Sequence, residues 1–274
     1  MDPLSEDPGD RFRTAILGRS GLRVGRIGVS ASYGVPAGAV ERAFEHGVNY
    51  FYWGSRRTDA FGQALRHLAP QRQKFVLAIQ SYSRMAGLLG WSLERALKAL
   101  RFDYADLLLL GMWNKQVPAR ILDAARKLRQ RGLVKFLAVS THARALVPRI
   151  AAGQDIDVVH VRYNAAHPGA EQDIFPHLPE SRPGLVAFTA TSWGQLVGKT
   201  AAVRLGRPVP AGERTPTGTD CYRFVLTRPE INVCMTGPAN SEQMDQALAA
   251  LQLGPMTDDE LSWMRRVGRA VSGK

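Results

Sequence analysis

The sequence predicts an α/β protein, a closed (β/α)8 TIM barrel preceded by an N-terminal β-hairpin. Short apolar, β-branched runs alternate with helical patterns, and eight such strand–helix units follow one another along the chain. A chain of 274 residues is a usual length for one barrel domain. Continuous apolar strands between helices indicate a parallel sheet covered on both faces. An open doubly wound sheet is disfavoured because no GxGxxG turn follows the first strand.

Each predicted element follows from a local pattern. The predicted strands are apolar runs at residues 26–31, 50–53, 75–80, 105–110, 134–140, 158–163, 185–190 and 231–235. The predicted helices have amphipathic spacing at residues 37–47, 59–68, 87–100, 119–131, 143–152, 173–178, 219–226 and 241–251. A hairpin that turns at Gly18–Gly21 is expected to close the barrel floor. The run from Thr257 to Glu260 is a capping box that opens one last helix.

The domain prediction is a single barrel over residues 13–274. The polar, acidic residues 1–12 are expected to form a short disordered leader. Residues 198–217 are rich in proline, glycine and arginine, and are the best candidate for a mobile loop over the site.

The net charge of +12 raises the question of a nucleic-acid or membrane partner. The basic residues are scattered, their densest run (residues 125–135) is typical of a solvated helix face, and no nucleic-acid motif is present. We therefore expect a small-molecule substrate and neither nucleic acid nor membrane, and the oligomeric state stays open. Cys221 and Cys234 have no metal-ligand spacing, so reduced thiols in a cytoplasmic protein without a metal site are expected.

Seven motifs in register give the chain its resemblance to a known family. They include ILGRSGLRVGRIGVSASYG at the hairpin, HGVNYFYWGSRR at the second strand, RGLVKFLAVSTH at the fifth and VAFTATSWGQLVGK at the seventh. Over about residues 13–268 the chain resembles the aldo-keto reductases, specifically the shorter bacterial type. The resemblance implies hydride transfer from a nicotinamide to a carbonyl, with a tyrosine as proton donor.

The positions that carry this chemistry in the family hold other residues here. The family's aspartate corresponds to Tyr52, its tyrosine to Arg57, its lysine to Gln80 and its histidine to Gly111. Free tyrosine has a pKa of about 10 and needs a nearby cation to act as an acid near neutral pH, so the standard mechanism does not transfer.

A substitute arrangement is predicted at the carboxyl ends of the strands, where the active sites of such barrels lie. Tyr52 or Tyr82 is the candidate proton donor beside Gln80, with Arg56 or Arg57 supplying positive charge. His160 is a further candidate general acid, since its ordinary pKa is near 6.5. Paired arginines at a barrel mouth also suit an anionic substrate. For each residue alone, space filling or solvent exposure is the competing interpretation.

The resemblance also implies a dinucleotide site. Candidate contacts to the nicotinamide end are Ser140, Thr141, His160 and Phe188. Candidate contacts to the pyrophosphate and adenosine ends are Thr189, Gly194, Gln195, Leu196, Gly237, Asn240 and Gln243. Ala239 and Asn240 stand where a basic residue would bind the 2′-phosphate of NADP, so the choice between NAD and NADP stays open.

Three functions remain open at this point. The first is a divergent NAD(P)H-dependent oxidoreductase that acts on a small carbonyl-type substrate with a non-standard acid group. The second is a pseudoenzyme that binds a nucleotide or a protein partner without turnover. The third is a non-redox enzyme, such as a lyase or epimerase, that uses His160 or a tyrosine as base.

Overall fold

Eight parallel strands form a closed barrel in the computed structural model, which describes residues 8–54, 56–198 and 214–273. Around the barrel the strand order is β10-β3-β4-β5-β6-β7-β8-β9. The barrel strands are β3 (Ile27–Ser30), β4 (Tyr50–Trp53), β5 (Val76–Gln80), β6 (Ala105–Met112), β7 (Val134–Thr141), β8 (Val158–Arg162), β9 (Gly184–Phe188) and β10 (Val233–Thr236). The predicted (β/α)8 architecture is confirmed.

Helices cover the outside of the barrel. They are α1 (Pro8–Arg13), α2 (Ala37–Glu45), α3 (Asp59–His67), α4 (Ala86–Leu100), α5 (Ala119–Gln130), α6 (Leu146–Ala152), α7 (Ala170–Asp173), α8 (Gly218–Leu226), α9 (Ser241–Leu253) and α10 (Asp258–Ser272). Short 3-10 helices occupy Ala31–Tyr33, Ala69–Lys74 and Phe175–His177. The predicted capping box is present at the start of α10, where Thr257 accepts from the Glu260 amide and the Glu260 carboxylate accepts from the Thr257 amide.

The predicted hairpin closes the barrel floor. Its strands are β1 (Thr14–Ile16) and β2 (Arg23–Gly25), which pair antiparallel. Leu17 and Val24 are fully buried against the inward side chains of the barrel strands. Ligands are therefore admitted only from the opposite end, at the carboxyl ends of the strands.

Alternation along the strands decides which side chains reach the barrel interior, because successive residues of a strand point to opposite faces. On β4, Tyr50 lies deep in the interior cluster and Tyr52 packs against it two residues later. Gly28 on β3 leaves space in this interior, since a Cβ there would lie 2.7 Å from the Met235 sulfur, 2.9 Å from Val233 and 3.0 Å from the Tyr50 ring. Glycine at that position keeps the middle of the barrel wide enough for a buried tyrosine.

Three predicted features differ in detail. Residues 8–12 of the expected disordered leader belong to helix α1, where Phe12 is buried and the Arg26 guanidinium lies 5.5 Å from its ring centre. Helix α6 begins later than predicted, after a turn in which the Thr141 hydroxyl accepts from the Ala143 amide. The predicted helix 173–178 is broken because Pro176 has no amide hydrogen to continue it.

Most of the segment predicted as a mobile loop, residues 199–213 of 198–217, lies outside the described residues. No helix in the described part of the chain is long and apolar enough to cross a membrane.

Candidate functional site at the barrel mouth

A cleft of about 650 Å³ opens at the carboxyl ends of the strands. We call it the mouth cleft. Its floor is formed by the last inward-pointing residues of six strands, namely Tyr52, Gln80, Ser140, His160, Phe188 and Met235. The volume is within the usual range for small-molecule and cofactor sites. The period of two along each strand therefore determines which residues a ligand would meet.

The described lining of the mouth cleft is largely apolar, with scattered polar groups and no charge. Among the described residues that line it there is no lysine, arginine, aspartate or glutamate. Its polar groups are hydroxyls and amides, with the imidazole of His160. An uncharged cleft with scattered polar groups suits a neutral reacting group such as a carbonyl or an amide, since it orients such a group without binding a counter-ion.

Tyr52 and Gln80 form a hydrogen-bonded pair on the floor. The Tyr52 hydroxyl donates to Gln80 Oε1, and the two residues come from neighbouring strands. Arg57 approaches the same glutamine from the outside, donating from Nη2 to the Gln80 main-chain oxygen at 2.9 Å. Three of the sequence-predicted residues are thus linked through Gln80.

The charge of Arg57 acts on both candidate tyrosines. Desolvation lowers the pKa of Arg57, Arg95 lowers it further, and attraction to Tyr82 and Tyr52 acts in the opposite direction. The guanidinium keeps its charge, because an arginine pKa lies far above neutral pH. Arg57 is therefore a fixed cation whose charge interacts with both phenolic groups.

His160 is neutral in this structure. Its side chain is buried, and burial lowers its pKa to about 3. Nε2 lies 2.9 Å from the Tyr50 hydroxyl, which is itself fully buried. The lowered pKa argues against His160 as a general acid that titrates near 6.5, and against His160 as the base of a lyase or epimerase. A neutral imidazole can still orient a ligand by a hydrogen bond.

The backbone is irregular at Gly111, where the resemblance would place a histidine. Gly111 has φ +88°, and the pairing between β6 and β7 shifts register between Leu109 and Met112. A Cβ at Gly111 would lie 3.3 Å from the Ser81 carbonyl oxygen, in a backbone conformation that residues with side chains rarely adopt. The backbone conformation at this position therefore favours glycine over a residue with a side chain.

The segment after β9 holds unusual backbone geometry. Thr189, Ser192 and Trp193 have φ of 60°, 49° and 55°. Asn164, fully buried, supports the first of them by donating from Nδ2 to the Thr189 carbonyl at 2.7 Å. Strained residues that the surroundings hold in place cluster at ligand sites. The segment therefore has the geometry of a binding loop.

Two helices present their N-terminal ends at the rim of the cleft. Gly218 opens α8 and Gln243 lies in the first turn of α9, and both line the mouth cleft. Helix N-termini carry a partial positive charge and amide donors, which favour phosphate groups. The Gly218 amide donates to Gln246 and the Gln243 amide to Asn240, so a phosphate at this rim would meet the dipoles of the two helices rather than these two amides.

The structure brings ten of the predicted site residues into one cleft. These are Tyr52, Gln80, Tyr82, Ser140, His160, Phe188, Thr189, Gly194, Gly237 and Gln243. Tyr82 is 54% exposed at the edge, while Tyr52 and Gln80 lie on the floor. Gly237 leaves space for the ring of Tyr33, which a Cβ would approach to 2.3 Å.

Five predicted residues are not among those that line the cleft. Arg57 lines a neighbouring groove, and Leu196 is fully buried in the core. Thr141 is buried and bonds to Asn114 and Ala143. Asn240 caps α9 by accepting from the Gln243 amide, and Gln195 bonds to Ser192. The motifs therefore predicted which loops lie near the cleft, but they did not predict in which direction each side chain points.

Several lining residues were missed by the sequence analysis. They are Ser30, Ser32, Tyr33, Met112, Thr191, Tyr222, Met235, Thr236 and Gln246. Ser30, Met112, Met235 and Thr236 lie at the carboxyl ends of barrel strands, and this position was the available signal. The remaining residues come from the segments after strands, from α8 (Tyr222) and from α9 (Gln246), for which local pattern gives no direction of the side chain.

A family model described as the aldo/keto reductase family matches residues 28–204. The chain is also similar to solved structures of aldo-keto reductase AKR11C1 from Bacillus halodurans. The holo form shares 18% identity at a TM-score of 0.74, over 93% of this chain and 96% of that chain. The apo form shares 19% identity at a TM-score of 0.74, over 93% of this chain and 95% of that chain.

Proposed function

Because this chain belongs to the aldo/keto reductase family, we propose that it is an NAD(P)H-dependent oxidoreductase that reduces a small carbonyl compound in the mouth cleft. The observation that carries the proposal is the Tyr52 hydroxyl on the cleft floor, joined to Gln80 and interacting with the fixed charge of Arg57. This group replaces the family's acid with a tyrosine from a different position.

The residues of the mouth cleft fit a nicotinamide dinucleotide. Ser140 and His160 offer hydrogen-bonding groups for a carboxamide, and Phe188 offers an aromatic face at the end of β9. The partial positive charge at the N-terminal ends of α8 and α9 would favour the phosphates. Bound there, the reduced nicotinamide would supply the hydride. Ala239 and Asn240 bring no cation for a 2′-phosphate, which favours NADH over NADPH.

Tyr52 is assigned the proton. Its O–H leaves Gln80 Oε1 and donates to the carbonyl oxygen of the substrate, so that hydride and proton together convert the carbonyl to an alcohol. The Arg57 cation, which donates to the main chain of Gln80, stabilises the phenolate left behind by its opposite charge. Gln80 positions the hydroxyl and connects it to Arg57.

His160 is assigned an orienting role. A histidine whose pKa is lowered to about 3 is neutral at physiological pH and gives no proton to the product. Held by Tyr50, the ring has a fixed orientation on the floor of the cleft. It can therefore hold a carboxamide or carbonyl in place while Tyr52 transfers the proton.

The test compares two phenylalanine variants of the same cleft in assays with NADH, NADPH and a panel of aldehydes, ketones and imines. Tyr52→Phe removes only the proposed donor hydroxyl, and we expect kcat to fall by about 10²-fold or more, as for loss of a general acid. The matched variant Tyr82→Phe should keep kcat within about threefold, since its hydroxyl has no proposed chemical step. Full activity in Tyr52→Phe, or a larger loss in Tyr82→Phe, contradicts the assignment.

Nucleotide binding without turnover is the second candidate. The positive φ of Gly111 favours it, because the carbonyl-orienting histidine of the family would be strained at this position. Saturable NADH binding with no turnover across the whole carbonyl panel would support this candidate against the first.

A further inference from the structure

We propose that a groove between α3 and α4, outside the mouth cleft, binds an amphipathic organic anion: an apolar ring system or chain that carries a carboxylate, sulfonate or phosphate. The groove has a volume of about 870 Å³. We call it the arginine groove after four of its lining residues, Arg57, Arg66, Arg84 and Arg95. Binding there requires no turnover, so this inference goes beyond the proposed reductase activity.

The arginine groove carries unbalanced positive charge. Against its four arginines stands one lining carboxylate, Asp59. In the described part of the chain none of the four arginines forms an ion pair, although other arginines of this protein do so repeatedly. Four guanidinium groups around one concave surface attract an anion, and each can bind an acidic group through two parallel hydrogen bonds.

The arginines are held in place by uncharged contacts. Arg66 donates to the Ala99 carbonyl at 3.2 Å, and the Arg84 guanidinium lies 3.9 Å from the ring centre of Trp113. The Arg95 guanidinium lies 5.3 Å from the ring centre of Trp91. These contacts hold each side chain without neutralising its charge, and they leave part of every guanidinium fork available.

The same groove exposes an apolar face of α4. Met85, Leu88 and Trp91 follow one another at intervals of three residues and are 65%, 46% and 59% exposed. The opposite face of α4 is buried in the core through Leu89, Leu93 and Leu97. Large apolar side chains grouped on an exposed concave surface are typical of a binding site. A ligand that contacts both the apolar face of α4 and the arginines has an apolar body and an acidic group at one end.

The position of the arginine groove favours a small molecule. The groove and the mouth cleft share Tyr82 in their linings, so they are neighbours at the same end of the barrel. The volume also lies within the range typical of small-molecule pockets.

The test uses two fluorescent probes with the same two ring systems. 8-Anilinonaphthalene-1-sulfonate is an aromatic anion, and N-phenyl-1-naphthylamine is its uncharged analogue. We expect the full-length protein to bind the sulfonate saturably, and about tenfold or more tightly than the amine, which corresponds to about 1.4 kcal/mol. Equal affinity for the two probes would overturn the proposal, because charge would then contribute nothing.

Variants locate the site. The double variant Arg66→Gln and Arg95→Gln should weaken sulfonate binding by about tenfold while amine binding stays within about twofold. Trp91→Ala should weaken the binding of both probes. Lys98→Gln, an exposed cation of the same helix outside the groove, should change neither. Unchanged sulfonate affinity in the arginine double variant, with the fold verified by thermal unfolding, would overturn the proposal.

Discussion

The mouth cleft and the arginine groove are neighbours, yet they hold opposite kinds of side chain. The described lining of the mouth cleft has no ionised group, whereas the arginine groove has four arginines and one aspartate. The apolar contacts differ as well: the floor of the mouth cleft is formed by strand ends, and the apolar side of the arginine groove by the exposed face of α4.

Under the proposed function, this difference would separate two tasks of a reductase for an anionic substrate. The neutral cleft would orient a carbonyl and a nicotinamide, with charge near the reacting atoms limited to one arginine behind Gln80. The neighbouring groove would attract the acidic group. Arg57 connects the two regions, since it lines the arginine groove and bonds to a residue of the mouth cleft.

The largest expected difference between the two regions is in their response to acid, because the mouth cleft contains the buried, neutral His160 and the described lining of the arginine groove contains no group of this kind. The pKa of His160 is about 3 in the folded chain and near 6.5 when unfolded, so the unfolded state binds the extra proton first. Stability is therefore complete above about pH 6.5 and is lost as pH falls toward 3. Between pH 7.5 and 4.5 we expect His160 to account for a loss of about 2–3 kcal/mol in the free energy of unfolding.

The measurement is urea unfolding at both pH values for the wild type and for His160→Gln. The glutamine places a carboxamide near Tyr50 that can form a hydrogen bond but cannot titrate. The variant should lack this part of the acid loss. The same pH dependence in both proteins would show that His160 does not titrate as described. Sulfonate binding in the arginine groove should stay constant over this range, since arginine remains charged.

A smaller change in stability is expected when a glycine in the backbone of each region is replaced by alanine. Gly111 borders the mouth cleft with φ +88°, so Gly111→Ala should lower the free energy of unfolding by about 1–2 kcal/mol. Gly87 lies in the helix beside the arginine groove, with ordinary φ and open space around a Cβ. Gly87→Ala should leave stability unchanged or raise it by up to about 1 kcal/mol. Denaturant unfolding measures both changes. Equal changes in the free energy of unfolding for the two variants would contradict the claim that only Gly111 needs a backbone conformation reserved for glycine.

The barrel could be predicted from the sequence because the pattern that indicates it extends over the whole chain. Alternation of strand and helix, repeated eight times, tolerates errors of a few residues at each end, as at the start of α6. The order of Tyr52, Gln80, Ser140 and His160 at strand ends also followed from it, since the period of two places such residues inside a barrel.

The direction of loop and helix side chains could not be predicted in the same way. Leu196 belongs to a resembling motif but packs into the core, and Arg57 contacts the cleft only through Gln80. The arginine groove gave no sequence signal, because Met85, Leu88 and Trp91 have the spacing of a buried helix face as well as of an exposed one. Only the packing of α4 decides which of its two apolar faces is covered.

The central claim, that the mouth cleft holds the nicotinamide cofactor and the arginine groove does not, is tested most directly by titration with NADH and NADPH. Quenching of tryptophan fluorescence would be followed in the wild type, in Phe188→Ala and in the double variant Arg66→Gln and Arg95→Gln. We predict saturable micromolar binding that weakens by about tenfold in Phe188→Ala, from the loss of ring stacking, and stays unchanged in the arginine variant. Absence of binding by either nucleotide, or loss of binding in the arginine variant alone, would contradict the account.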